Sequence, residues 1–227
     1  FRYRPRIDFA DEGLHRVLLL MGPGTFGLAA TQINVFVNTM LATGEGTGAV
    51  SWLDYAFRLM YLPIGLFGVS IATAATPAVS RLVASGNRDG VRETVATSIG
   101  LMLALNVPAT LGLVVLAGPI IGLIFEHGSF SAGDTAATAA ALQFYAIGLV
   151  GYSIVRIVTP TFYALHRSRI PVAASAMSVV LNIILNVTLV RVMGYRGLAL
   201  GTSITALVNA MVQLAFLRHE LDGVEGR

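Results

Sequence analysis

The sequence contains neither cysteine nor lysine among its 227 residues. Without cysteine, neither a disulfide framework nor a thiolate metal site can form. Without lysine, a Schiff base with a substrate and a Ser-Lys catalytic dyad are both excluded. Charge is also scarce, since only 12% of the residues are charged, whereas a soluble domain has about 25%. The motifs HExxH, GxSxG and Walker A are missing as well, which predicts that the chain is not a hydrolase or an ATPase.

Long apolar runs dominate what is present, and 55% of the residues are hydrophobic. A membrane-spanning helix needs about 20 apolar residues, and the sequence predicts six such spans: Leu14–Ala42, Val50–Val83, Val91–Phe125, Thr135–Leu165, Ile170–Met193 and Leu198–Leu217. The predicted fold class is therefore an all-α integral membrane protein with a six-transmembrane-helix bundle over residues 14–219. Residues 1–13 are predicted to form a cytoplasmic lead-in segment and residues 220–227 a cytoplasmic linker or tail.

The arginines predict the orientation of the bundle, because basic residues accumulate on the cytoplasmic side of a membrane protein. Eleven of the fifteen arginines fall on one side of the predicted bundle, and only Arg191 and Arg196 fall on the other. Both ends of the chain are therefore predicted to be cytoplasmic. The arginines are spread among loops instead of forming one basic face, which argues against a nucleic-acid partner.

The remaining two arginines, Arg58 and Arg156, lie deep within apolar stretches. A charge at this depth costs about 2.5–3.5 kcal/mol on insertion scales, so it is kept where it faces a cavity, a partner or a substrate. A guanidinium group binds phosphate through a planar, bidentate fork and stays charged. Asp54 precedes Arg58 by four positions, the favourable order for an intrahelical pair. Arg58 is predicted to face an anionic substrate, and the pair with Asp54 is compatible with that role.

Arg156 has two interpretations, because it lies one helical turn before Pro160. It lines the cavity, or it donates to backbone carbonyls that the proline leaves without a partner. A set of amides and hydroxyls also has two interpretations, since its members share helix faces and either hold a hard cation or form interhelical hydrogen bonds. This set consists of Gln32, Asn34, Asn38, Asn182, Asn186, Thr202 and Thr205.

Residues 48–77, GAVSWLDYAFRLMYLPIGLFGVSIATAATP, strongly resemble the recurrent motif of the MurJ/MviN family of lipid II flippases in the MOP exporter superfamily. Shorter matches are GPGTFG at 22–27, QIN at 32–34, FEHGSF at 125–130 and TPTFYA at 159–164. The resemblance covers essentially the whole chain. It implies the second lobe, about helices seven to twelve, of a two-lobe transporter with some fourteen helices.

The resemblance implies a function in peptidoglycan biosynthesis and hence in cell-wall biogenesis and cell shape. Such proteins lie in the bacterial cytoplasmic (inner) membrane. They flip an undecaprenyl-pyrophosphate-linked precursor, lipid II, to the outer leaflet by alternating access, and this chain would need the N-terminal lobe as its partner. Arg58 would be the cavity arginine that binds the pyrophosphate, with Arg156 as a secondary ligand. Ser51 would line the cavity wall nearer the outer gate. Many relatives carry Asp where this chain has Phe57, so the role of that carboxylate is lost or passes to Asp54.

The resemblance also implies a candidate ion site, because some relatives bind sodium in this lobe. Asn38, Asn182, Asn186 and Thr202 match that site in position but not in charge, since amides replace its acids at Asn38 and Asn186. Coupling to Na⁺, to H⁺ or to the membrane potential therefore stays open, and no cofactor is expected. The alternative functions are another MOP-type exporter, such as a polysaccharide-lipid flippase or a drug/cation antiporter, and a non-transporting scaffold for cell-wall proteins.

Overall fold

The computed structural model describes residues 32–222, and these residues form an all-helical bundle. The lead-in segment 1–13, most of the first predicted span and residues 223–227 lie outside the described residues. The helices are α1 (32–43), α2 (Ala49–Pro63), a π-helical segment (Ile64–Val69), α3 (Ser70–Ala84), α4 (Arg88–Val115), α5 (Ala117–Phe125), α6 (Ala132–Ala164), α7 (Arg169–Met193) and α8 (Tyr195–Asp222). The predicted all-α fold class is confirmed.

Five helices in the described part are long and apolar enough to cross a membrane: Ala49–Ala84, Arg88–Val115, Ala132–Ala164, Arg169–Met193 and Tyr195–Leu221. They correspond to the second through sixth predicted spans. The described end of the first span is also helical. The division into 1–13, 14–219 and 220–227 stays a prediction.

The second predicted span is one continuous helix of 36 residues that changes its winding after Pro63. Proline has no N–H and cannot bond to the carbonyl of Leu59, four residues earlier. The following residues, Ile64–Val69, form the π-helical segment, and α-helical winding resumes at Ser70. The altered winding therefore lies in the middle of the span, directly after the proline.

The third predicted span, Val91–Phe125, is wrong as a single helix, because it is divided at Leu116. The backbone of Leu116 lies at φ −100° and ψ 13°, outside helical geometry, and separates α4 from α5. Pro119 explains the position of the break. Its missing N–H would have donated to the carbonyl of Val115 across this point.

Helix α6 is the centre of the bundle and packs against α2, α3, α4, α5 and α8. It begins with a capping box, in which the Ser131 hydroxyl accepts from the Asp134 N–H while the Asp134 carboxylate accepts from the Ser131 N–H. The Asp134 carboxylate also accepts from the Trp52 indole at 2.8 Å, which joins α6 to the first turn of α2. This capping box fixes the helix that carries Arg156.

Two apolar clusters hold the bundle together. One lies around Met60, Ile64 and Leu142, where α2 and the π-helical segment meet the first half of α6, and the other lies around Met102, Val158 and Phe162, where α4 meets the second half of α6. Outward-facing side chains such as Leu123 and Val192 are more than four-fifths exposed. Exposed apolar surface of this extent fits a helical bundle in lipid.

Candidate functional site

A groove of about 1040 Å³ lies between α1, α2, α6 and α8. Both an arginine and a carboxylate open onto it, but most of its surface is apolar. It is lined by Asn34, Val35, Asn38, Thr39, Ala42, Val50, Leu53, Asp54, Phe57, Arg58, Tyr61, Leu62, Gly65, Leu66, Tyr145, Tyr152, Leu198 and Thr202. An apolar groove with a few convergent polar groups is the usual form of a ligand site.

Arg58 and Asp54 lie on the groove face of α2 and form an ion pair. The Arg58 Nε donates to Asp54 Oδ2 at 2.9 Å, and the two side chains are 72% and 53% exposed. Arg58 is nine residues beyond Ala49, the first residue of the helix, which corresponds to about 13 Å along the axis. The guanidinium is therefore deep in the span and open to the groove, and the carboxylate orients it.

Arg156 reaches the edge of the same groove through a tyrosine of α2. Its Nη2 donates to the hydroxyl of Tyr61, and its Cζ lies 5.7 Å from the centroid of the Tyr61 ring. Tyr61 lines the groove three positions after Arg58, and Tyr152, one turn before Arg156 on α6, lines it as well. The contact that Arg156 makes is thus with a side chain of a neighbouring helix, whereas the sequence had offered freed carbonyls as its alternative partner.

Next to the contact between Arg156 and Tyr61, the ring of Phe57 packs against three tyrosine rings. The Phe57 ring lies 5.7 Å from Tyr61, 5.4 Å from Tyr145 and 6.2 Å from Tyr152, measured between centroids. Edge-to-face and tilted ring pairs at these separations add to the energy of apolar burial. Phe57 therefore packs directly against the ring whose hydroxyl accepts from Arg156.

The amides and hydroxyls of three helices form one hydrogen-bonded cluster beside the groove. Its centre is the side-chain oxygen of Asn182, which accepts from Asn34 at 3.0 Å, Asn38 at 3.3 Å and Asn186 at 3.0 Å. The Asn182 amide nitrogen points to the hydroxyls of Thr202 and Thr205, and the Asn186 nitrogen also donates to Asn38 at 2.6 Å. Helices α1, α7 and α8 are therefore connected through neutral side chains.

This donor set does not fit a sodium ion. A hard cation needs several converging oxygens, with carboxylates preferred. Here three N–H groups converge on the Asn182 oxygen, and the oxygen of Asn186 is buried against Gly201 without a hydrogen-bond partner. Within residues 32–222 no group of three or more acidic or histidine side chains could hold a metal ion. Apart from the Asn186 oxygen, the amide oxygens of Asn34, Asn38 and Asn182 accept hydrogen bonds from within the cluster.

The structure thus brings together Arg58, Asp54, Asn38 and Thr202 around the groove. Asn182 and Asn186 are buried behind it. Ser51 is exposed near the start of α2, on the same helix face as Asp54 and Arg58, but it does not line the groove.

Sequence reasoning missed the tyrosines of the groove, Tyr61, Tyr145 and Tyr152. Their spacing was a usable signal, because Tyr61 follows Arg58 by three positions and Tyr152 precedes Arg156 by four. Residues three or four apart share a helix face. An aromatic residue one turn from an arginine deep within an apolar stretch therefore lies on the same helix face as that arginine.

Comparison with known sequences identifies relatives along the whole chain. The family model described as "Lipid II flippase MurJ" matches residues 1–227. A probable lipid II flippase MurJ of Vibrio cholerae serotype O1 is 35% identical over 221 residues, which is 97% of this chain and 42% of the relative. The lipid II flippase MurJ of Burkholderia cenocepacia is 32% identical over 206 residues, 91% of this chain and 40% of the relative. The chain spans less than half the length of these relatives.

Solved structures show the same helical arrangement. A structure of "Lipid II flippase MurJ, inward closed conformation" matches with a TM-score of 0.82 and 29% identity, over 94% of this chain and 45% of that chain. An inward-facing multidrug resistance MATE transporter of the MOP superfamily matches with a TM-score of 0.83 and 16% identity, over 95% of this chain and 50% of that chain. The second match concerns the fold alone.

Proposed function

The chain belongs to the lipid II flippase MurJ family, and on that premise we propose that it is one lobe of a flippase. Its cargo would be undecaprenyl-pyrophosphate-linked peptidoglycan precursor, moved from the cytoplasmic to the outer leaflet by alternating access. The family is one of transporters, and we propose that the chain catalyses no reaction. Because the chain spans less than half of its relatives, the route would be complete only with an N-terminal lobe.

The observation that carries this proposal is the exposed guanidinium of Arg58 in the middle of an apolar helix. A pyrophosphate cannot cross hydrocarbon with its hydration shell, so a cavity must replace that shell with charge-assisted hydrogen bonds. Arg58 opens onto the groove with 72% of its side chain exposed and is oriented by Asp54. The apolar remainder of the groove suits a lipid carrier, whose tail can stay in the bilayer.

The chain is a multi-pass inner-membrane protein, as its family and five apolar helices indicate. We propose that both ends of the chain face the cytoplasm, an orientation supported by the arginine distribution. The π-helical segment after Pro63 and the break at Leu116 would let this lobe rock against the other and expose the groove to each leaflet in turn. A single lobe cannot enclose a cavity between lobes, so the isolated chain is expected to be inactive.

We infer that the amide cluster of Asn38, Asn182, Asn186 and Thr202 holds no sodium ion during this cycle. Its neutral side chains bind one another, and its central oxygen already accepts three N–H groups. The energy for transport would come from the membrane potential or from protons. A cation antiporter is disfavoured, because Asp54, the acidic residue that lines the groove within residues 32–222, is paired with Arg58.

Complementation tests the proposal. The protein with both lobes is expressed in bacteria depleted of their own lipid II flippase, as wild type, Arg58→Lys and Arg58→Ala. Arg191→Ala, an exposed arginine in the last turn of α7, is the matched control. Growth and exposure of lipid II in the outer leaflet are measured. We expect rescue by wild type and by the control, with loss in Arg58→Ala.

The remaining outcomes separate the alternatives. Rescue by Arg58→Lys would show that charge suffices without the bidentate fork. Equal growth of all variants would remove Arg58 from the mechanism and leave the flippase. Growth without lipid II exposure would favour the scaffold role. Verified insertion without any rescue by wild type would contradict lipid II as the cargo and favour another lipid-linked substrate.

A further inference from the structure

We propose that Tyr61 is a positioning residue that holds Arg156 at the groove and leaves its positive charge uncompensated for the pyrophosphate. The inference rests on the proposed function and assigns a role to a side chain that carries no charge itself. In this proposal the two arginines have different roles. Arg58 is oriented by a carboxylate, and Arg156 supplies the net charge of the site.

One hydrogen bond fixes the Arg156 guanidinium. Its Nη2 donates to the Tyr61 hydroxyl. The guanidinium carbon lies 5.7 Å from the ring centroid, beyond the hydroxyl edge of the ring, so the hydroxyl and not the ring face holds it. The ring of Tyr61 packs against Phe57.

The two arginines differ in the charge of the side chain that each one contacts. Arg58 is bonded to the carboxylate of Asp54, so this pair has no net charge. Within the described part of the chain, Arg156 contacts the neutral Tyr61 and forms no ion pair. Since arginine stays protonated in proteins, Arg156 brings a full positive charge to the groove edge, and an arriving anion meets no competing carboxylate there.

The position of Tyr61 links the two cations. It follows Arg58 by three residues, so the two residues are neighbours on the groove face of α2. Arg156 approaches from α6, 95 positions further along the chain. One phosphate of a pyrophosphate would therefore accept hydrogen bonds from Arg156, and the other would accept them from Arg58 once Asp54 releases it. Phenylalanine at 61 would keep the ring but lose the acceptor, and glutamate would keep an acceptor but neutralise Arg156.

The test is binding of undecaprenyl pyrophosphate to the protein with both lobes, reconstituted in lipid nanodiscs. The variants are Tyr61→Phe, Tyr61→Glu, Arg156→Ala and the double variant Tyr61→Phe/Arg156→Ala. Tyr163→Phe, an exposed tyrosine near the end of α6, is the control. Loss of one net hydrogen bond predicts about fivefold weaker binding for Tyr61→Phe. Tyr61→Glu should bind more weakly still, because it neutralises Arg156 and repels the phosphates.

A double-mutant cycle separates positioning from a structural role. If Tyr61 acts through Arg156, then Tyr61→Phe has no further effect once Arg156 is alanine, and the unfolding midpoint of each variant stays near that of wild type. Wild-type affinity in both Tyr61 variants would overturn the inference and leave the proposed function intact. Additive losses in the double variant would also overturn it. Failure of the wild-type protein to bind the lipid would overturn the proposed function and this inference with it.

Discussion

The Nε of Arg58 donates to the Oδ2 of Asp54 over 2.9 Å, one turn earlier in α2, and more than half of each side chain stays exposed. Exposed pairs with this helical spacing stabilise proteins by only about 0.3–0.5 kcal/mol. The pair is therefore strong enough to orient the guanidinium and weak enough to be exchanged for a phosphate. This balance suits a site that must bind its ligand and release it again.

The first prediction concerns Asp54→Asn. The variant removes the negative charge that competes with an anionic ligand, so binding of undecaprenyl pyrophosphate to the protein with both lobes should become severalfold tighter. Folding stability should change by less than about 1 kcal/mol, because the pair is exposed. Release would be slower, so we expect lower transport together with higher affinity. Equilibrium binding and outer-leaflet exposure of lipid II measure the two effects separately.

Asp89→Asn is the control for this prediction, because Asp89 is an exposed carboxylate in the first turn of α4 and does not line the groove. It should leave affinity and transport unchanged. Unchanged affinity in Asp54→Asn would show that Asp54 does not compete with the ligand. Weaker affinity would show that orientation of Arg58 by the carboxylate matters more than its charge.

The second prediction concerns cations and the amide cluster. Thermal unfolding of the wild-type protein should have the same midpoint in equal concentrations of sodium, potassium and choline chloride, because the central Asn182 oxygen already accepts three N–H groups. Asn186→Asp places a buried carboxylate beside the oxygen of Asn182, and a buried charge without a partner is costly. We therefore expect a lower midpoint in this variant, partly restored by sodium but not by choline.

Asn87→Asp is the matched control, since Asn87 is exposed and caps α4, a position where aspartate works equally well. Its midpoint should not depend on the cation. A rise of the wild-type midpoint in sodium alone would contradict the absence of a sodium ion from the cluster and restore a cation site there.

The ends of most helices were predictable because their signals are local. Apolar runs located the second, fourth, fifth and sixth spans, and the spacing of Ser131 and Asp134 is a local signal for the start of α6. The break at Leu116 was missed, since hydropathy continues across it and only Pro119 indicates the lost hydrogen bond. Proline at 63 changes the winding without ending the helix, so proline alone does not predict which outcome occurs.

In the candidate site, the contact within one helix was predictable and the contact between helices was not. The pair of Asp54 and Arg58 follows from helical periodicity on one segment. The contact between Tyr61 and Arg156 joins residues 95 positions apart, and it depends on how α2 packs against α6. Such a contact has no local signal beyond the shared face of Tyr61 and Arg58. The orphaned oxygen of Asn186 was likewise invisible in the sequence, because its surroundings are set by Gly201 on another helix.

The third prediction concerns the contact between α6 and α8, which places the helix of Arg156. A Cβ added at Gly151 would lie 2.7 Å from the carbonyl carbon and oxygen of Ala206, which are backbone atoms and cannot rotate away. Gly151→Ala should therefore push the helices apart and lower the free energy of unfolding by about 1–3 kcal/mol. Unfolding midpoints in mixed detergent and dodecyl sulfate micelles measure the change.

Gly112→Ala is the matched control on α4, because a Cβ there would meet no atom within 4 Å. Alanine favours the helix over glycine by up to about 1 kcal/mol, so this variant should be neutral or slightly more stable than wild type.

Displacing α6 also moves Arg156 away from Tyr61, so Gly151→Ala should weaken binding of undecaprenyl pyrophosphate, whereas Gly112→Ala should not. Equal midpoints for the two variants would contradict the close approach of α6 and α8. A destabilised Gly151→Ala protein with unchanged affinity would show that the site tolerates movement of α6.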